Sequence, residues 1–143
     1  MSKFSRFMKA NKIAQKNEKF APTQSLRDEN GKPLEWEFKK ISAKENEEIR
    51  DACTMEVQVK GKPNMFRPKV KTSEYLAKMI AASVVYPDLY DKELQDSYGV
   101  MTPEDLVYAM VDNAGEYQEL SVWLQNFQGF TKTMDDKVDE AKN

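Results

Sequence analysis

Histidine is absent from all 143 residues, and cysteine occurs once, at Cys53. Without imidazole there is no Ser-His or Cys-His nucleophile pair and no His-ligated zinc. A lone thiol makes neither an internal disulfide nor a thiolate cluster, so nothing in the chain requires an oxidising compartment. Long apolar runs are missing as well. The most apolar stretch, residues 79–86, is interrupted by Ser83 and falls far short of the roughly 20 residues of a membrane span. Residues 1–10 lack the apolar core of a signal peptide, so cytoplasm is the expected compartment. No G-x-G-x-x-G, G-x-x-x-x-G-K-[ST], C-x-x-C or Ser-x-x-Lys string is present, and no cofactor or metal is expected. Together these absences argue against an enzyme.

What is present is a composition of 40% hydrophobic and 32% charged residues, that of a globular protein with a heavily charged surface. The length suits one domain, able to bury roughly two-thirds of the surface of its unfolded chain. The net charge of −2 conceals a division: residues 1–71 carry 17 Lys/Arg against 10 Asp/Glu, and residues 72–143 carry 5 against 14. Such halves attract each other or an oppositely charged partner. Residues 60–71 hold five cations, no acid and Phe66, the ingredients of a nucleic-acid contact. Against that contact stand the overall pI of about 5.4 and Pro63 and Pro68, which favour a solvated loop or hairpin. The densest carboxylate group, Asp88, Asp91, Glu93 and Asp96, fails as an EF-hand: Glu93 and Gly99 stand where that loop needs Gly and Glu. Asp91 fits a helix cap instead.

Periodicity gives the elements. A short amphipathic helix, basic on its wet side, is expected after Ser2 and fades near Ile13, with an extended connector over 14–24. Residues 25–41 carry the best hairpin signal: Asn30-Gly31 supplies a tight turn, and Leu34, Trp36 and Phe38 then alternate with Glu35, Glu37 and Lys39. Ser42-Ala-Lys-Glu45 is a capping box opening a polar surface helix over 43–53. Residues 55–71 suit a second β-ribbon. Thr72 or Ser73 caps the strongest helix, 73–86, whose apolar face is Tyr75, Leu76, Met79, Ile80 and Val84. A short helix over 91–97 ends at Gly99. Thr102-Pro103 starts another, and a last helix runs over 115–128, closed by Gly129. The fold class expected is therefore α+β: a mostly helical single domain over 1–130, with short antiparallel ribbons in its N-terminal half. Residues 131–143 are expected to be a polar, mobile tail.

The last helix is the candidate partner-binding element. Tyr117, Leu120, Trp123, Leu124 and Phe127 lie on one side, Val122 lies off that side, and Phe130 follows the terminating glycine. Large apolar side chains at helical spacing serve a core or an interface, and both readings stay open for this face.

Several strings are similar to one family. Glu29-Asn-Gly-Lys-Pro-Leu-Glu-Trp-Glu-Phe-Lys-Lys-Ile-Ser42, followed by Ile49-Arg-Asp-Ala-Cys-Thr54, resembles the XkdN-like tail assembly chaperones of phages and defective prophages of Gram-positive bacteria. So do Tyr75-Leu-Ala-Lys78 leading into Val85-Tyr-Pro-Asp-Leu89, then Leu94-Gln-Asp-Ser-Tyr-Gly-Val-Met101, Gly115-Glu-Tyr117 and Gly129-Phe130. Their order and spacing hold from about residue 3 to Phe130. The resemblance implies a non-enzymatic role: binding the tape measure protein and keeping it soluble while a long contractile tail or tail-like particle is built. The tail tube protein and further copies of the chain itself are additional candidate contacts, and no membrane is involved. It also implies residence in the bacterial host cytoplasm and absence from the finished particle. The family supplies no catalytic motif and no residue-level binding pattern. Two alternatives remain: a tail or baseplate component retained in the particle, or a small nucleic-acid binder using residues 60–71.

Overall fold

Trp36 and Phe38 are separated by one residue, so their side chains leave the same side of an extended backbone, and both are buried. They define the centre of the molecule. The computed structural model describes residues 2–130; the expected polar tail, residues 131–143, lies outside the described residues. A three-stranded antiparallel sheet is ordered β1 (Glu18–Phe20), β2 (Trp36–Phe38), β5 (Val84–Tyr86), with β2 in the middle. The helices are α1 (Ala43–Ala52), α2 (Thr72–Ser83), α3 (Lys92–Ser97), α4 (Pro103–Met110) and α5 (Ala114–Gln128). A separate hairpin of β3 (Thr54–Val59) and β4 (Lys62–Val70) sits between α1 and α2. The fold is α+β, as the periodicity predicts.

One hydrophobic core joins the sheet to the helices. Trp36 and Phe38 pack with Met79 and Ile80 of α2, Leu106 and Val107 of α4, and Leu120 and Leu124 of α5. Three of the N-terminal caps read from the sequence are made. Ser42 accepts from Glu45 N–H while the Glu45 carboxylate accepts from Ser42 N–H. Asp91 caps α3 and Thr102 caps α4, with Pro103 opening that helix. Gly129 ends α5 at φ 96°, a left-handed conformation costly for any residue with a Cβ. α1 buries no residue and is held to α2 by the Tyr75 hydroxyl, which donates to Asn46 Oδ1.

Four expectations are corrected. The N-terminal helix is two 3₁₀ turns, Ser5–Phe7 and Lys9–Asn11. Phe4, Phe7, Met8 and Ile13 are exposed, and a short helix with no face to bury has little to hold it. The connector over 14–24 contains β1, because the open edge of β2 offers it ladder bonds from Glu18↔Phe38 to Phe20↔Trp36. The hairpin over 25–41 keeps its turn, with Gly31 at φ 80°, but pairs only through an isolated Arg27↔Pro33 bridge. β2 takes β1 and β5 as partners instead, and Leu34 is exposed. The helix expected to reach residue 86 stops at Ser83, where Val84 to Tyr86 join the sheet. Two β-branched residues followed by one held out of the α region by Pro87 favour that switch. At its other end Lys71 is the cap residue, and no side chain makes a capping bond.

Candidate interaction surface

α5 is fixed at both ends by polar side chains. At its start Asn113 accepts from Glu116 N–H. The Glu116 carboxylate reaches back across the fold, accepting from the buried Thr23 hydroxyl at 2.8 Å and from Gln24 N–H at 2.7 Å. At its end the Gln128 amide donates to Lys39 C=O at 3.0 Å and to Ser83 Oγ at 2.8 Å, and accepts from Ile41 N–H at 2.9 Å. One side chain thereby ties the exit of β2, the end of α2 and the last turn of α5.

Aromatic packing divides the predicted surface of α5. Trp123 stacks on Phe20 of β1, with ring centroids 4.5 Å apart at 8°, and on Phe127 at 5.1 Å and 11°. Phe38 meets its edge at 5.0 Å, and Lys40 Nζ stands 5.5 Å from the Phe127 ring centre. Leu120 and Leu124 are fully buried and Phe127 is buried, so these three present no surface to a partner here. They face the sheet and α2, where the core needs volume. Tyr117 is half-buried and stacks on Tyr108 at 4.8 Å. Its hydroxyl is buried with no hydrogen-bond partner among the described residues. Burial first, and then the adjoining Tyr108 phenol, push its pKa well above the usual tyrosine range. Phe130 remains exposed, with its N–H donating to Gln125 C=O.

What α5 does expose is a neighbouring stripe. Gly115, Gln118, Glu119 and Val122 lie at helical spacing and, with Phe20 and half-buried Trp123, line a shallow groove. Val122 is 53% exposed at its centre. Sequence reading placed Val122 off the main face but missed Phe20, whose strand is three residues long and too short to show an alternation. A second groove, between α2 and α4, is lined by Lys71, Glu74, Lys78, Glu104, Asp105 and Tyr108 among others. The carboxylates near α3 behave as local structure: Asp88 accepts from Tyr90 N–H, Asp91 caps Leu94, and Asp96 pairs with Lys92 at 2.9 Å. Among the described residues no group of three His, Cys, Asp or Glu is placed to hold a metal ion. None of the described helices is long and apolar enough to cross a membrane. The basic segment over 60–71 forms the tip and returning strand of the β3–β4 hairpin.

These features belong to a small α+β scaffold that offers surface. The chain is a member of the phage XkdN-like tail assembly chaperone (TAC) proteins, the profile of that family matching residues 4–142. It is 25% identical over 140 residues to the phage-like element PBSX protein XkdN of Bacillus subtilis strain 168, covering 96% of this chain and 91% of that one. It is also 25% identical over 119 residues to the protein YqbN of the same strain, covering 81% and 76%. The crystal structure of YqbN shares the fold: TM-score 0.74, 19% identity, with 91% of this chain and 98% of that chain covered. The family is one of phage tail assembly chaperones and is not known for enzymatic activity.

Proposed function

We propose that this chain binds the tape measure protein of a long contractile tail or tail-like particle, non-enzymatically, and keeps it soluble until the tube assembles. The supporting observation is the groove of Phe20, Val122 and Trp123 on α5. A long helical protein awaiting its tube exposes apolar stripes, and an amphipathic helix is bound by laying such a stripe into a groove. The groove floor is rigid because Trp123 is clamped between Phe20 and Phe127. Gly115 adds no side chain to its wall, so a partner backbone can come close. The surface is small and its rim polar, with Gln118 and Glu119. That suits an affinity compatible with release, and the chaperone works in the host cytoplasm and leaves before the particle is complete.

The test is co-expression with the tape measure protein from the same gene cluster, measuring how much stays soluble and co-purifies. Val122→Glu is the informative variant, since Val122 contributes to no core contact that its loss would open. Covering the exposed half of a valine is worth about 1–1.5 kcal/mol, so co-purified tape measure should fall about fivefold to tenfold while the free variant melts like the wild type. Insoluble tape measure beside free wild-type chain, or full retention by Val122→Glu, overturns the reading. Finding the chain in purified particles would assign it to the structure of the tail instead.

A further inference from the structure

The β3–β4 hairpin is the part of the molecule with least explanation in the fold. No residue of either strand is buried, and Met55, Met65 and Phe66 are exposed. Its attachment to the rest is at its base, where Lys71 N–H donates to the carbonyl of buried Cys53 at 2.9 Å and the Thr54 hydroxyl donates to Arg50 C=O at 2.8 Å. A two-stranded ribbon uncovered on both faces is marginal in water, yet here it runs for nine residues on one strand. The register gives each face a character. Met55 opposes Lys69 and Val57 opposes Arg67, so one face combines apolar side chains with two cations and no acid. Glu56, the one acid between residues 54 and 71, lies on the other face opposite Pro68.

The complement to that face is in the same chain. Residues 72–130 carry two cations, Lys78 and Lys92, against ten acids. Those two lysines are paired, with Glu104 and Asp96, so the segment from α2 to α5 carries a net negative charge. Among the described residues none of Lys60, Lys62, Arg67, Lys69 and Lys71 is in an ion pair. Apart from Lys71 at its base, which lines the α2–α4 groove with Glu74, Glu104 and Asp105, the ribbon stands exposed, and its charge is opposite to that of the half that a second copy would present. We propose that two copies hold each other by exchange of this arm, each ribbon lying by its Met55–Val57–Arg67–Lys69 face across the negatively charged α2–α5 segment of the other. Area favours the reciprocal form. At about 3.3 Å per residue the six paired residues of β3 span about 20 Å and two strands are about 10 Å wide, so one face covers about 200 Å². One arm alone buries about 400 Å² over both surfaces and two arms about 800 Å², so even the reciprocal form is a weak, salt-sensitive contact below the roughly 1,200 Å² of stable interfaces. A two-fold exchange is also closed, and limits assembly at the dimer.

Sedimentation velocity of the isolated full chain tests this without reference to any other protein. The expected result is a dimer at about 50 mM salt whose dissociation constant rises at least about tenfold by about 500 mM, as screening shortens the reach of the charges. Arg67→Glu with Lys69→Glu should give monomer at both, with unchanged helical circular dichroism. Met55→Asp, which alters no cation, should weaken the dimer as well, so the result does not rest on one variant. A wild-type monomer at every salt concentration overturns the proposal, and so does a dimer that survives both substitutions. If instead the monomer shifts a single-stranded oligonucleotide in a gel, and the double charge reversal abolishes that shift, the ribbon is a nucleic-acid arm and the proposal fails.

Discussion

Replacing Gln128 with methionine should lower stability far more than its place in the last helical turn implies. The substitution keeps the side chain's length and bulk, so it tests polar contacts with little cavity formation. Three hydrogen bonds disappear: to Lys39 C=O, to Ser83 Oγ and from Ile41 N–H. Ser83 keeps its bond to Met79 C=O at 2.7 Å, but the Lys39 carbonyl and Ile41 N–H lose their partner at a half-buried site. At a net 0.5–1.5 kcal/mol each, with the penalty for stranded groups at the upper end, the loss is about 2–4 kcal/mol. For a urea slope of about 1–3 kcal/mol per molar, the midpoint falls by about 1 M or more with the slope unchanged. Gln128→Glu sharpens the test. A carboxylate still accepts from Ile41 N–H but cannot donate to Lys39 C=O, so it should be as damaging at neutral pH. Facing a carbonyl, its folded pKa is raised above the unfolded value. The native state then holds the proton longer, and this variant recovers relative to wild type as pH falls. A midpoint shift worth less than about 0.5 kcal/mol for Gln128→Met would show that water replaces the amide, and would refute the view of Gln128 as the clasp of the fold.

Tyr117→Phe should raise stability by about 1 kcal/mol, because it removes a buried hydroxyl that has no hydrogen-bond partner among the described residues and keeps the ring stacked on Tyr108; a lower melting temperature would refute this. Cys53 is buried at the base of the ribbon. Desolvation, and next the Glu74 charge, push its thiol above the ordinary value, with Lys78 opposing. Alkylation of the native protein by iodoacetamide should therefore stay slow near about pH 8 and accelerate only at higher pH than in the urea-unfolded chain. As pH rises through the unfolded thiol's range the unfolded state loses its proton first, so stability falls. Equal alkylation profiles for native and unfolded protein would overturn the burial argument.

The parts of the fold legible in the sequence are those set by neighbours along the chain. The Ser42 box, the Thr102 and Asp91 caps and the Gly129 stop each involve residues within three or four positions, and each is present. The β3–β4 ribbon is similarly local. Strand choice in the central sheet is different in kind. β2 has hydrogen-bonding edges on both sides, and the segments that fill them, 18–20 and 84–86, lie far from it in sequence. Neither has enough residues to show a period of two, and 84–86 continues a helical pattern until Pro87 intervenes. The Asn30-Gly31 signal correctly marks a turn. It misleads about pairing because a turn brings two segments close without deciding which of them carries the apolar face that the helices will cover.

The candidate site shows the same limit from the other side. Helical periodicity groups Tyr117, Leu120, Trp123, Leu124 and Phe127 into one face, and it cannot tell the half of a face that meets the core from the half that meets water. That division is made by Phe20, a residue about a hundred positions away, which stacks on Trp123 and shifts the accessible edge of α5 to Gly115, Gln118, Glu119 and Val122. The one apolar residue that breaks the pattern, Val122, is therefore the one the fold leaves exposed. An apolar side chain on the core face is accounted for by packing, whereas one that remains exposed beside an aromatic pair has no role in the folded monomer and gains one only when something covers it.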